Sequence, residues 1–220
     1  MSRLLMLDIE TAPIEGVESF LGRIIPPANY SKPESIAKYI EEKTAEEKNR
    51  TSLDPDLCRV VALAFQFQGD PTIKGGVAKD EAQEKILISR LWEVVRAEPF
   101  FPTLCGFNVA GFDIPVLLRR SLFLGIHAPP IRLGRYAYQM KNVNDLQITL
   151  TMDRHEKFRM RSKDWWLKRL KIDETDNPCT GADVGALIAL GDFDTVLAHC
   201  KADVANEVKI AQFLGDWPLA

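Results

Sequence analysis

The apolar run Leu4-Leu5-Met6-Leu7 is too short for a buried helix and suits a central strand. It continues into Asp8-Ile9-Glu10-Thr11, and because strand side chains alternate between faces, Asp8 and Glu10 project together. Aspartate is depleted in strands, and a buried carboxylate needs a partner or a metal, so two acids at this spacing ask for a reason. A strand ending at the surface with both acids solvated is the plain alternative.

Pro13 then breaks the pattern, and residues 14–57 form a long, partly helical insertion before the next strand. Within it, Ser31 to Arg50 reads as a mostly solvated helix capped by Ser31, with a short apolar face of Ile36, Tyr39 and Ile40. Cys58–Phe67 is a β-rich run ended by Gly69-Asp70-Pro71, and Thr72–Val77 is placed to return as the far arm of a hairpin. Glu81–Glu98 is amphipathic, predicting a helix that faces Ile86, Leu87, Leu91, Val94 and Val95 inward and stops at Pro99. Phe100–Phe107 reads as a strand. A small-residue turn follows, then a helix from Asp113 to Leu124 closed by Gly125. His127–Tyr138 reads as irregular chain, and Asp145–Leu150 is compatible with a helix start or a short edge element. A short helix carries Trp165, Trp166, Leu167 and Leu170, where two tryptophans among leucines point to core packing rather than a base-stacking platform. Ala182–Leu190 is another short helix. The last, Phe193–Leu214, has a stripe through Phe193, Val196, Leu197, Cys200, Val204, Val208 and Ala211, with His199 and Asp203 together on its margin. Alternating strands and helices predict a layered α/β domain, and 220 residues suit a single one carrying the 14–57 insertion.

Composition narrows the function. No window holds eighteen consecutive apolar residues and no charged leader precedes the first strand, so a soluble, cytoplasmic protein without membrane association is expected. The four scattered cysteines and three histidines do not make a zinc site, and the cysteines read as reduced packing residues. A net charge of −3 argues against coating duplex DNA by bulk electrostatics. It leaves room for a carboxylate site whose divalent cations would turn the total positive. Charge is also uneven: from Arg154 to Lys171 eight basic residues stand against Glu156 and Asp164, which makes a candidate phosphate track or a solvated loop.

Taken singly, Asp113 is compatible with a helix cap, Asn108 with a turn residue and His199/Asp203 with a surface pair. Taken together they form an ordered set. Asp8-Ile9-Glu10-Thr11 ends the first strand, Asn108, Phe112 and Asp113 fit Asn-x-x-x-Phe-Asp, and His199 with Asp203 lies in the last helix. The chain thereby resembles the DEDD, or DnaQ-like, 3'-5' exonucleases of the ribonuclease H-like fold. The likeness is to the exonuclease domains of family B DNA polymerases and their stand-alone predicted relatives. One departure is visible: three residues separate His199 from Asp203, where the histidine variant of the superfamily normally has four, so the histidine stands at the position usually held by tyrosine.

The resemblance implies a mixed β-sheet flanked by helices and two divalent cations, Mg2+ or Mn2+. Asp8 would bridge both, Glu10 and Asp203 would hold the ion beside the attacking water, and Asp113 would complete the second. Hard cations take oxygen ligands, and a pair of them can neutralise the charge that builds up in phosphodiester hydrolysis. His199, with an ordinary pKa of about 6.5, is the candidate to accept the water's proton. Ile9 and Thr11 are expected to meet the terminal nucleotide through backbone N–H groups and a hydroxyl, with Asn108 and Phe112 along the preceding one. The expected activity is 3'-5' hydrolysis of DNA from single-stranded or frayed 3' ends. A separate DNA polymerase would be a partner in trans. The alternatives are an exoribonuclease of the same fold and a catalytically idle domain that binds nucleic acid or a polymerase; an endonuclease of the ribonuclease H kind fits the last motif less well.

Overall fold

In the computed structural model, which describes residues 2–134, 140–152 and 160–215, five strands form one mixed sheet in the order β3-β2-β1-β4-β5. The strands are β1 Leu4–Pro13, β2 Cys58–Phe67, β3 Lys74–Val77, β4 Thr103–Gly106 and β5 Val143–Asp145. β1 pairs antiparallel with β2, which pairs antiparallel with β3, while β4 and β5 run parallel to β1. The helices are α1 Pro33–Arg50, α2 Glu81–Ala97, α3 Asp113–Phe123, α4 Leu146–Leu150, α5 Lys163–Leu170, α6 Val184–Leu190 and α7 Phe193–Leu214. This is the α/β arrangement the sequence predicts, a mixed sheet covered by helices on both faces.

The two-residue period of β1 divides the core. Leu5, Leu7 and Ile9 pack with Ile88, Leu91, Trp92 and Val95 of α2 and with Ile114 and Leu117 of α3. Met6, one step out of phase, joins the opposite cluster with Val196, Cys200, Val204 and Val208 of α7 and Leu167 of α5. Asp8 and Glu10 continue the Met6 face, so strand alternation alone aims them at α7.

β1 and β2 do not stay in step. Glu10 stands opposite Ala62 but Thr11 stands opposite Val60, leaving Val61 as an extra residue beside the acids. Such a bulge bends the strand and re-aims its side chains. The Val60 N–H beside it is donated to the buried Glu84 carboxylate at 2.8 Å, which also takes two hydrogen bonds from Arg120, at 2.8 and 2.7 Å. Trp92 Nε1–H donates to Ser121 Oγ at 2.8 Å, joining α2 to α3.

Several predicted boundaries move. Lys32, not Ser31, is the N-cap of α1 and makes no side-chain cap bond; Pro33 at the first position starts the helix with its preset φ. α1 buries none of its residues, as its sparse apolar face predicts. β3 begins at Lys74 rather than Thr72. β4 is only Thr103–Gly106 because Pro102 has no N–H to give the ladder and Phe100 is exposed. In α2 the inward stripe includes Ile88 and Trp92, and Ile86, expected inside, is 51% exposed. α3 spans Asp113–Phe123 with Phe112, not Asp113, at the N-cap. Asp145 ends β5 and caps α4, accepting from Gln147 N and Ile148 N, so that stretch is both edge strand and helix start. α6 starts at Val184. Among the described residues, no helix is long and apolar enough to cross a membrane. Residues 135–138 of the predicted irregular segment and 154–159 of the basic run lie outside the described residues.

Candidate active site

Asp8, Glu10, His199 and Asp203 meet where the end of β1 passes under α7. The contact is fixed at Cys200, whose thiol donates to the Asp8 carbonyl at 3.2 Å. Donor atoms of Asp8 and Glu10 lie within 4.8 Å of one another, and so do those of Glu10, His199 and Asp203. Asp113 arrives from the other layer at the mouth of α3 and accepts the Ile9 N–H at 3.1 Å. That peptide group lies between the two acids of β1, so Asp113 joins the same cluster.

Crowding is visible in the acidities. Desolvation pushes the Asp8 carboxyl from 3.8 up to about 7; Lys163 opposes the rise and Asp203 adds to it. Burial, then the charges of Asp8 and Asp203, raises Glu10 well above the carboxylate range, and burial with Asp8 does the same to Asp113. Asp8 Oδ2 is buried with no hydrogen-bond partner among the described residues. An acceptor left bare in this way is costly in a protein interior, and a bound cation is one partner that would satisfy it. The carboxylate oxygens among these donors suit hard divalent ions. Cys200 is near enough to be a ligand, but its thiol, which burial raises well above the ordinary range, donates to the Asp8 carbonyl.

Asn177 holds the two α7 residues together. Its Nδ2 donates to Asp203 Oδ1 at 3.0 Å and its Oδ1 faces His199 Nδ1 at 2.6 Å. Asp203 can only accept there, so the amide orientation is set and His199 carries its proton on Nδ1. Nε2 is left facing Glu10 Oε1 at 3.3 Å. Burial lowers the histidine pKa, which favours the neutral imidazole, and burial with the charge of Asp8 raises that of Glu10.

The cation in this cluster is Lys163, first residue of α5, with Nζ 2.7 Å from Asp203 Oδ2 and 3.6 Å from Glu207 Oε1. Its acidic neighbours hold its pKa above the ordinary lysine value despite burial. Sequence reading missed Lys163, Asn177 and Glu207. A lysine in the first turn of a helix, against the helix dipole, is the signal that could have found the first; the other two carry none.

The expected nucleotide contacts divide. The Ile9 N–H is spent on Asp113 and the Thr11 hydroxyl is donated to the Ser52 carbonyl at 2.6 Å, so neither donor is free. Asn108 is exposed at a left-handed φ of 61°, its N–H held by Asp145 Oδ1 at 3.2 Å and that of Ala110 by Oδ2 at 3.0 Å. Phe112 is partly buried against the core. Trp165 differs from the core expectation: it is 37% exposed, with the Arg161 guanidinium 4.9 Å from its ring centre, whereas Trp166 is partly buried.

Comparison with known proteins bears on the site. A model of the family described as a predicted 3'-5' exonuclease related to the exonuclease domain of PolB matches residues 51–160. The chain belongs to this family. Members of this predicted PolB-related exonuclease family share a fold with polymerase exonuclease domains, and the structure agrees. The family B DNA polymerase from the hyperthermophilic archaeon Pyrobaculum calidifontis matches with a TM-score of 0.61 at 19% identity over 97% of this chain. The chain spans 24% of that polymerase's length. No curated protein sequence matches.

Proposed function

We propose that the protein is a metal-dependent 3'-5' exonuclease that shortens single-stranded or frayed DNA ends. The observation that carries this reading is the convergence of Asp8, Glu10, Asp113 and Asp203, drawn from three elements remote in sequence, around a buried, partnerless Asp8 Oδ2. These four residues would hold two Mg2+ or Mn2+ ions, which when bound supply Lewis-acid stabilisation of charge on the scissile phosphate and on the attacking and leaving oxygens.

The chain's own residues do the rest. His199 Nε2, which faces Glu10 Oε1 at 3.3 Å, would accept the water's proton once Glu10 is turned to a cation, because Asn177 holds Nδ1–H and burial lowers the ring's pKa. Lys163 offsets part of the acidic charge through its contact with Asp203. Asn108, exposed beside Phe112, lines the path of the penultimate nucleotide, and the basic run around Arg161 offers phosphate contacts without base readout. DNA is favoured over RNA on the relation of the family to a polymerase domain.

The test is a 5'-labelled single strand, as DNA and as RNA, incubated with Mn2+, with Mg2+ and with chelator. A ladder shortening from the 3' end with metal only, absent in Asp8→Ala, is expected, and faster on DNA. Internal cleavage, or Asp8→Ala working at the wild-type rate, overturns the assignment; faster loss of the RNA transfers it to an exoribonuclease.

A further inference from the structure

Glu207 is a buried acid for which the proposed chemistry has no use. It sits one turn after Asp203 on α7, so both carboxylates share a helix face, and it is 1% exposed. Its Oε1 lies 3.6 Å from Lys163 Nζ and its Oε2 has no hydrogen-bond partner among the described residues. Asp203 has the shorter contact to the same ammonium, at 2.7 Å through Oδ2, while its Oδ1 is taken by Asn177. Both oxygens of a proposed cation ligand are therefore engaged, one of them by a competing positive charge.

We propose that Glu207 is a positioning residue that provides the second seat of the Lys163 ammonium, taken up when Asp203 turns to a divalent cation. The proposal rests on the reading of Asp203 as a cation ligand. The movement is small: closing 3.6 Å to an ordinary charged hydrogen bond of about 2.8 Å brings Lys163 onto Glu207. Without that seat, the lysine either stays on Asp203 and opposes the incoming cation or is left buried without a partner, and the interior tolerates neither well. Glu207 thus acts through Lys163, and the two should be coupled.

Calorimetric titration with MnCl2 of wild type, Glu207→Gln, Lys163→Met and the double variant tests this. Glu207→Gln should weaken binding about tenfold, as loss of a supporting outer partner does, and should have less than about a twofold effect once Lys163 is already Met. An equal loss in both backgrounds would mean that Glu207 contributes only its charge, and the proposal falls; so does an unchanged affinity in the single variant. A wild-type crystal soaked in Mn2+ gives an answer independent of any variant: Lys163 within hydrogen-bond reach of Glu207 and withdrawn from Asp203 supports the proposal, and Lys163 still on Asp203 overturns it. Wild type that binds no Mn2+ at all sinks the metal-site reading and the proposal with it, whereas binding without the shift sinks the proposal alone.

Discussion

The cost of ionising Asp8 in its pocket should be readable as stability. Its carboxyl rises from 3.8 to about 7, with desolvation the largest cause, Lys163 opposing and Asp203 reinforcing. A folded-state pKa above the unfolded one means that the folded form holds the proton more tightly. The contribution of Asp8 to stability is then complete below its unfolded value near 3.8 and is lost as the pH rises through about 7. The difference corresponds to about 4 kcal/mol, a large share of the 5–15 kcal/mol of a typical domain. Asp8→Asn keeps the shape and removes the titration. In chelator, the variant should gain on wild type by about 4 kcal/mol as the pH goes from about 4 to about 8, followed by urea denaturation. Glu10, Asp113 and Glu207 are raised in the same direction but are present in both proteins, so the comparison isolates position 8 and its coupling. Mn2+ at a hundred times its dissociation constant should return about 2.7 kcal/mol to wild type and little to the variant. A stability difference that does not change with pH over this range, or an Asp8→Asn protein less stable than wild type near pH 8, would refute the reasoning.

Three further outcomes are expected. Glu84→Gln leaves Arg120 buried against a neutral partner and weakens the bond that holds Val60 at the bulge, so it should cost about 3–5 kcal/mol in thermal or urea unfolding while Mn2+ affinity per folded molecule stays near wild type. Gly106→Ala places a Cβ 2.7 Å from the Leu7 carbonyl oxygen, so β1 must shift just before Asp8; a loss of about 1–3 kcal/mol together with weaker Mn2+ binding is the expected pair of readings. His199→Ala should lower the exonuclease rate about 10²–10⁴-fold, and it should abolish an acid limb that in wild type falls below pH 6.5, because burial lowers the His199 pKa. A pH–rate profile of both proteins shows whether that limb belongs to the histidine.

What the sequence made legible follows physical signal strength. β2 and α7 occupy the predicted residues because Cys58–Phe67 is a continuous β-rich run, and Phe193–Leu214 has one apolar stripe with Gly215 at a left-handed φ of 81° to end it. α2 was recognisable as a helix but only partly in its phase: apolar residues occupy so many of its positions that the inward set chosen includes the exposed Ile86 beside the buried Leu91 and Val95 and leaves out Ile88 and Trp92. Glu84, a charged residue on the inward stripe, hides the true face until Arg120 is seen to neutralise it. Asp8 and Glu10 were legible because acids ending an apolar strand are unusual, whereas Asp113 and Asp203, compatible singly with a helix cap and a surface pair, stood out only as members of the ordered set. Lys163 was not, being one of eight basic residues in a short stretch, of which only its side chain is shown reaching Asp203. Asn177 and Glu207 depend on contacts across 26 and 44 residues of chain with partners that no local pattern names.

The span that matches the family model, residues 51–160, contains β2 to α4 but only Asp113 of the four carboxylates. Asp8 and Glu10 come before it and Asp203 after it, so membership in the family and assembly of the site rest on different parts of the chain. What unites them is packing. β1 lies between β2 and β4 in the sheet, with Leu5, Met6 and Leu7 fully buried directly before Asp8. α7 lies across β1, β2 and β3, with Cys200 buried between His199 and the strand. The groups that bring the acids together are therefore the groups that close both hydrophobic clusters. Truncating either element would remove core and chemistry at once, and only shape-preserving changes at single carboxylates can separate a lost activity from a lost fold.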